Sequence, residues 1–197
     1  MGKKKHIDSI KELFEKSQVV DSRSIERLIK SRENVRQYHK QLIRNLLRQG
    51  RIKRLTKWYY TKENDPSLAV YCFKPAYLGL QDALSYHNLW EQETIPVILT
   101  SRRIRSGIRR ILDSNVLIRR IGKKYMFGYE NSQQDKYHLP YSDIEKTIID
   151  MIHYNQNINN ETLTEIKKRI NKQKLKTYLK KYPQKTQTKT LNTLKNS

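Results

Sequence analysis

Cysteine is nearly absent from this chain: Cys72 stands alone among 197 residues. That excludes an internal disulfide and any cysteine-based zinc site, and it suits a reducing compartment, so the expected location is the cytoplasm. Long apolar runs are missing too. No stretch approaches the ~20 apolar residues of a membrane span, and no apolar segment follows the basic start from Met1 to Lys5. The expectation is no membrane association. No glycine-rich phosphate loop occurs, and His6, His39, His87, His138 and His153 are scattered without metal-ligand spacing. On this basis no cofactor, no metal and no catalytic residue is assigned.

Acidic charge is also scarce: 19 acidic residues face 41 basic ones, a net charge of +22. A surplus of that size calls for a polyanionic partner or a very soluble surface. The charge comes in blocks. Net charge is +12 over 1–62, −4 over 63–99, +8 over 100–125, −3 over 126–160 and +9 over 161–197. Three basic blocks separated by mildly acidic ones point to localised anion-binding surfaces.

Periodicity suggests an α+β chain with a winged helix-turn-helix at its N-terminus, then a small mixed α/β domain and a C-terminal helix. Ile7, Ile10, Leu13 and Phe14 mark a first helix over 7–17. Asp21 or Ser22 caps a short second helix carrying Ile25, Leu28 and Ile29. Ser31 to Asn34 form a polar break. A longer third helix then places Val35, Tyr38, Leu42, Ile43, Leu46 and Leu47 on one face, and Gly50 ends it. Arg51–Leu55 and Trp58–Thr61 read as a β-hairpin turning at Thr56 and Lys57, with Trp58, Tyr59 and Tyr60 packing on the helices. Asn64-Asp65-Pro66-Ser67 is a strong loop signal. The expected domains are 1–63 (winged helix), 68–153 (α+β), 154–182 (one helix) and 183–197 (a disordered basic tail). Within the second domain, Leu68–Phe73, Ile95–Thr100, Val116–Ile121 and Lys124–Tyr129 are strand candidates. Leu80–Leu89 and 143–153 are helix candidates.

The third helix is where DNA reading is expected. Arg36, Lys40, Arg44 and Arg48 recur at i, i+4 and form one stripe, with Gln37 and Gln41 beside it. Arginine reads guanine and glutamine reads adenine by paired hydrogen bonds in the major groove. Base contact is therefore assigned to Arg36, Gln37, Lys40, Gln41 and Arg44, with His39 a further candidate. Phosphate contact is assigned to Arg32 and Arg48 and to the hairpin's Arg51, Lys53, Arg54 and Lys57. Lys3, Lys4 and Lys5 suit a flexible basic arm.

Beyond these residues the chain resembles a known family. "GRIKRLTKWYYT" (50–61), "YLGLQDALSYHNL" (77–89), "IPVILTSRRIR" (95–105), "VLIRRIGKKYMFGY" (116–129) and "YSDIEKTIIDMI" (141–152) resemble, in order and spacing, AbiEi-type antitoxins of type IV toxin–antitoxin pairs. The resemblance covers roughly 45–155 of the 197 residues. It implies a winged helix that represses its own operon and a C-terminal domain that neutralises a nucleotidyltransferase-like toxin. The implied partners are operator DNA and such a toxin. A homodimer on DNA is compatible with this, though no heptads mark an interface.

A different class of function rests on a second basic block. Arg102, Arg103, Arg105, Arg109, Arg110, Arg119, Arg120, Lys123 and Lys124 suit a solvated face, a second nucleic-acid surface or an acidic protein partner. Guanidinium forks match phosphate geometry. A nuclease-like or RNA-binding protein is the alternative. Asp143, Glu145 and Asp150, beside Lys146, would be its acidic cluster. The structural reading is that Asp143 caps a helix and that Glu145 and Lys146 are solvated or ion-paired.

Overall fold

The computed structural model describes residues 2–30, 38–134 and 137–195. The chain has an α+β fold. It divides into two compact units, the first spanning residues 1–72 with 110–114 and the second 73–109 with 115–197.

In the first unit, α1 (Gly2–Lys16), β1 (Val20–Asp21), α2 (Ser22–Lys30), α3 (Tyr38–Arg48), β2 (Lys53–Thr56) and β3 (Tyr59–Thr61) follow one another. The three strands form an antiparallel sheet in the order β1-β3-β2. Three helices, a first strand paired to the far arm of a hairpin, and the hairpin itself make up the winged helix-turn-helix topology. Ile10, Phe14, Val20, Ile25, Ile29, Leu42, Ile43, Leu46, Ile52 and Tyr60 build its core. Asp21 caps α2 by accepting the N–H groups of Arg23 and Ser24 at 2.8 and 2.9 Å. At the end of α3, Gly50 takes φ +65°, its N–H reaches the carbonyl of Leu47, and that of Arg51 reaches Leu46. This 6→1 and 5→2 pair satisfies two carbonyls that a helix end leaves open.

Several expectations need correction here. α1 starts at Gly2, so Lys3–Lys5 stand on its first turns and are no separate arm. The hairpin turns at Lys57 and Trp58, one residue later than expected. Trp58 therefore leaves the strand, and its side chain is 51 % exposed while Tyr60 is buried. The run expected as a strand from Leu68 is a 3₁₀ helix, Pro66–Phe73. Leu68, Ala69, Val70 and Cys72 are all buried in it, and a short wholly apolar run carries no period that separates strand from helix. The first unit runs through this helix to Cys72, so Asn64–Ser67 lies inside it.

The second unit is built on a six-stranded sheet in the order β6-β7-β5-β4-β9-β8. The strands are β4 (Ala76–Leu78), β5 (Val97–Thr100), β6 (Gly107–Ile111), β7 (Ser114–Arg120), β8 (Tyr129–Gln134) and β9 (Tyr137–Ser142). Pairing is parallel for β4/β9 and β5/β7, antiparallel for β4/β5 and β8/β9. The strand expected over Lys124–Tyr129 is not formed at its start, where Lys123–Tyr125 is a 3₁₀ turn. Its helices are α4 (Gln81–Tyr86), α5 (Ile144–His153), α6 (Asn160–Arg169), α7 (Lys172–Leu179) and α8 (Gln184–Lys195). α5 is the central one, with Ile148, Ile149, Met151 and Ile152 buried against Tyr77, Leu84, Leu99, Leu163 and Leu179.

The C-terminal region departs most from expectation. The single helix over 154–182 is two, because Asn171 breaks it. Its side chain accepts the N–H groups of Gln173 and Lys174 and so starts α7 afresh, while its own N–H donates to Glu145 at 2.7 Å. The tail expected to be disordered contains α8. Thr186 and Thr190 are buried and Leu194 packs on the core, at i, i+4 and i+8. Pro183 opens this helix by accepting the N–H groups of Thr186 and Gln187.

Candidate nucleic-acid interface

The amphipathic division of α3 positions the candidate DNA-reading residues. Leu42, Ile43 and Leu46 are buried on one side, and Lys40, Gln41, Arg44 and Arg48 are exposed on the other. Because helical neighbours recur at three and four residues, Lys40, Arg44 and Arg48 lie in one row with Gln41 next to it. His39 is 7 % exposed and belongs to the buried side, which removes it as a base-contact candidate. Arg32, Arg36 and Gln37 lie outside the described residues.

The hairpin adds a second row of cations. Arg51, Arg54 and Lys57 are exposed. Lys53 is half-buried, and its ammonium donates to Oδ1 of Asn64, which ties the hairpin to the following loop. Side chains along β2 alternate, so Leu55 is 3 % exposed between outward neighbours. Trp58 occupies the turn at φ +79°, and the Lys57 ammonium lies 5.2 Å from its ring centre. No sequence period signals this exposure. A one-residue shift of the turn is enough to change the face on which a side chain stands.

The second basic block lies on the loop after β5, on β6 and β7, and on the turn that follows. Arg102, Arg103, Arg105, Arg120, Lys123 and Lys124 of the second unit are exposed, and Arg109 and Arg119 are half-buried. Arg119 lies 5.1 Å from the ring centre of Tyr154, and Arg109 lies 5.5 Å from that of Phe73. Both guanidiniums are thus held against aromatic faces. Arg110 groups with the first unit, 3.6 Å from Asp113.

The acidic residues of α5 each have a structural partner. Asp143 caps the helix by accepting the Lys146 N–H at 2.7 Å. The Glu145 carboxylate, 5 % exposed, receives the Asn171 N–H. Glu145 and Lys146 are therefore buried, not solvated, because α7 and the 182 region close over them. Lys146 is 0 % exposed and donates to both carboxylate oxygens of Asp150 at 2.6 Å, to Tyr77 Oη at 2.8 Å and to Tyr182 Oη at 2.6 Å. The two tyrosines donate in turn to Asp150, at 2.6 and 2.5 Å. Burial pulls the Lys146 ammonium below its ordinary value against the pull of Asp150. Burial, then Asp150, pushes both phenols well up. Every polar hydrogen and both carboxylate oxygens in this cluster are used within it. Among the described residues no group of His, Cys, Asp and Glu is placed to hold a metal ion, and no helix is long and apolar enough to cross a membrane.

No protein-family model matches the chain, and no curated protein matches it. Among solved structures it is similar to the crystal structure of the RV2827C protein from Mycobacterium tuberculosis, with a TM-score of 0.62 and 14 % identity over 91 % of this chain and 72 % of that one. At this identity the similarity speaks to fold alone, and it agrees with the α+β architecture described above.

Proposed function

We propose that this protein is a sequence-reading DNA-binding regulator of the AbiEi antitoxin type. In this reading it represses its own operon in the cytoplasm and counteracts a nucleotidyltransferase-like toxin. One observation carries the DNA-binding part. The second helix of a helix-turn-helix exposes Lys40, Gln41, Arg44 and Arg48 opposite its buried face, followed by a hairpin exposing Arg51, Arg54 and Lys57. A helix of this composition suits the major groove, and a basic hairpin suits the flanking phosphates. Arg36 and Gln37 belong to the same base-reading set by sequence spacing, and Arg32 to the phosphate set. The toxin partner rests on the family resemblance of the second unit. A homodimer would match an inverted-repeat operator. Nuclease footprinting on the DNA upstream of the gene tests this reading: a discrete protected site is expected, and uniform protection contradicts it. Co-purification with a neighbouring nucleotidyltransferase tests the antitoxin half.

A second reading is RNA binding or nucleic-acid processing through the basic block 102–124. The exposed Arg102, Arg103, Arg105, Arg120, Lys123 and Lys124 favour it. Incubation with labelled RNA and DNA in magnesium separates it from the first. Metal-dependent cleavage that Arg120→Ala weakens would put this reading ahead.

A further inference from the structure

Among the hairpin's three aromatics, Tyr60 is buried in the core, Tyr59 is half-buried and Trp58 is exposed. Leu55 and Tyr60, its neighbours along the hairpin, are 3 % and 5 % exposed, whereas Trp58 is 51 % exposed. Its backbone adopts φ +79°, a region that bulky side chains rarely take and that glycine or asparagine ordinarily fills in turns. The turn is nevertheless anchored. The Trp58 carbonyl accepts the N–H of Ser22 at 2.8 Å, and Asp21 pairs with Tyr59 in the β1/β3 ladder. The indole thus projects from a fixed backbone. Its immediate neighbour Lys57 lies over the ring at 5.2 Å, and Arg54 is exposed on the preceding strand. A flat apolar surface flanked by cations complements a ligand that is itself polyanionic with flat apolar faces, which describes nucleic acid.

We infer that Trp58 is a stacking residue of the wing. Its indole lies against a sugar or base face of duplex DNA at the minor groove, while Arg54 and Lys57 neutralise the adjoining phosphates. Apolar side chains placed at that position partly unstack a base step and bend the duplex. The inference rests on the DNA-binding reading above and adds to it a contact that is apolar and insensitive to salt. Sequence preference then comes in part from how easily the contacted step deforms.

Two variants and one spectroscopic signal test it. Trp58→Asn keeps a residue that tolerates positive φ, so the turn is preserved and folding is checked by thermal melting. Binding to a labelled duplex from upstream of the gene is followed by fluorescence anisotropy over a salt series. Trp58→Asn is expected to weaken binding about tenfold, within the range of aromatic stacking on a base, with an unchanged salt slope. Lys57→Ala is expected to reduce that slope by about one. In a Trp90→Phe chain, Trp58 is the sole tryptophan, and its emission is expected to be quenched when the duplex saturates the protein. Duplex binding by anisotropy with unchanged Trp58 emission and unchanged Trp58→Asn affinity overturns the inference and leaves the DNA-binding reading intact. Failure of the parent chain to bind duplex overturns both.

Discussion

The ammonium of Lys146 lies 2.6 Å from both carboxylate oxygens of Asp150, one helical turn away, and neither side chain reaches solvent. Tyr77 from β4 and Tyr182 from the segment before α8 complete the cluster, so four residues from three parts of the second unit are bound to one another. Removing one charge from such a pair strands the other without solvent. Lys146→Met is therefore expected to lower the stability of the second unit by about 3 kcal/mol. Replacing all four residues by Met, Leu, Phe and Phe is expected to restore most of that loss. Urea denaturation checks both, and a near-neutral Lys146→Met would mean that water reaches the site.

Below neutral pH, His153 should set part of the stability. Burial holds its imidazole below the ordinary value of 6.5, with Lys146 and Lys124 adding to the effect and Asp150 opposing it. Its Nδ1 lies 3.2 Å from Thr186 Oγ1 on α8. A depressed folded-state value means that the unfolded chain binds the proton first as pH falls. The contribution is complete above pH ~6.5 and is lost as pH drops below it. The melting temperature should fall as pH drops below about 6.5, and His153→Gln should flatten that slope. Identical pH profiles for the two chains would remove His153 from this role.

Gly50 closes α3 at φ +65°, and a β-carbon built there meets nothing within 4 Å. The cost of Gly50→Ala is thus backbone strain alone, about 1 kcal/mol. Thermal melting of the first unit measures it, and a loss of several kcal/mol would indicate a packing role for this turn.

Arg44 and Lys57 should separate reading from gripping. Arg44→Ala is expected to weaken binding to the operator about tenfold and to a shuffled duplex much less, as for a lost base contact. Lys57→Ala should weaken both alike. Equal losses on both duplexes for Arg44→Ala would move that residue to the phosphate set.

The legibility of the chain followed the range of the interactions. α3 was readable because Leu42, Ile43 and Leu46 repeat at helical spacing and Gly50 supplies the stop, both local signals. α8 was not, because its inward stripe begins with Thr186 and Thr190, which count as polar although their hydroxyls are satisfied by His153 and by the Thr186 carbonyl. At Asn171 the cap on Gln173 and Lys174 is local, but the bond from its N–H to Glu145 spans 26 residues and leaves no local signal. Lys146 and Asp150 stood out in the sequence beside Asp143 and Glu145, but their burial depends on Tyr77 and Tyr182, 69 and 36 residues from Lys146. Within the candidate interface, the basic face of α3 was readable from spacing. The position of Trp58 was not, since it hangs on a single residue of turn register.

In the proposed function, α3 and its hairpin read a DNA sequence. A gel-shift salt titration on the DNA upstream of the gene, beside a shuffled duplex, tests it most directly. Binding to the upstream duplex is expected to persist at ~200 mM salt, with the shuffled duplex released well below that. Equal binding to both duplexes, lost together as salt rises, would contradict it.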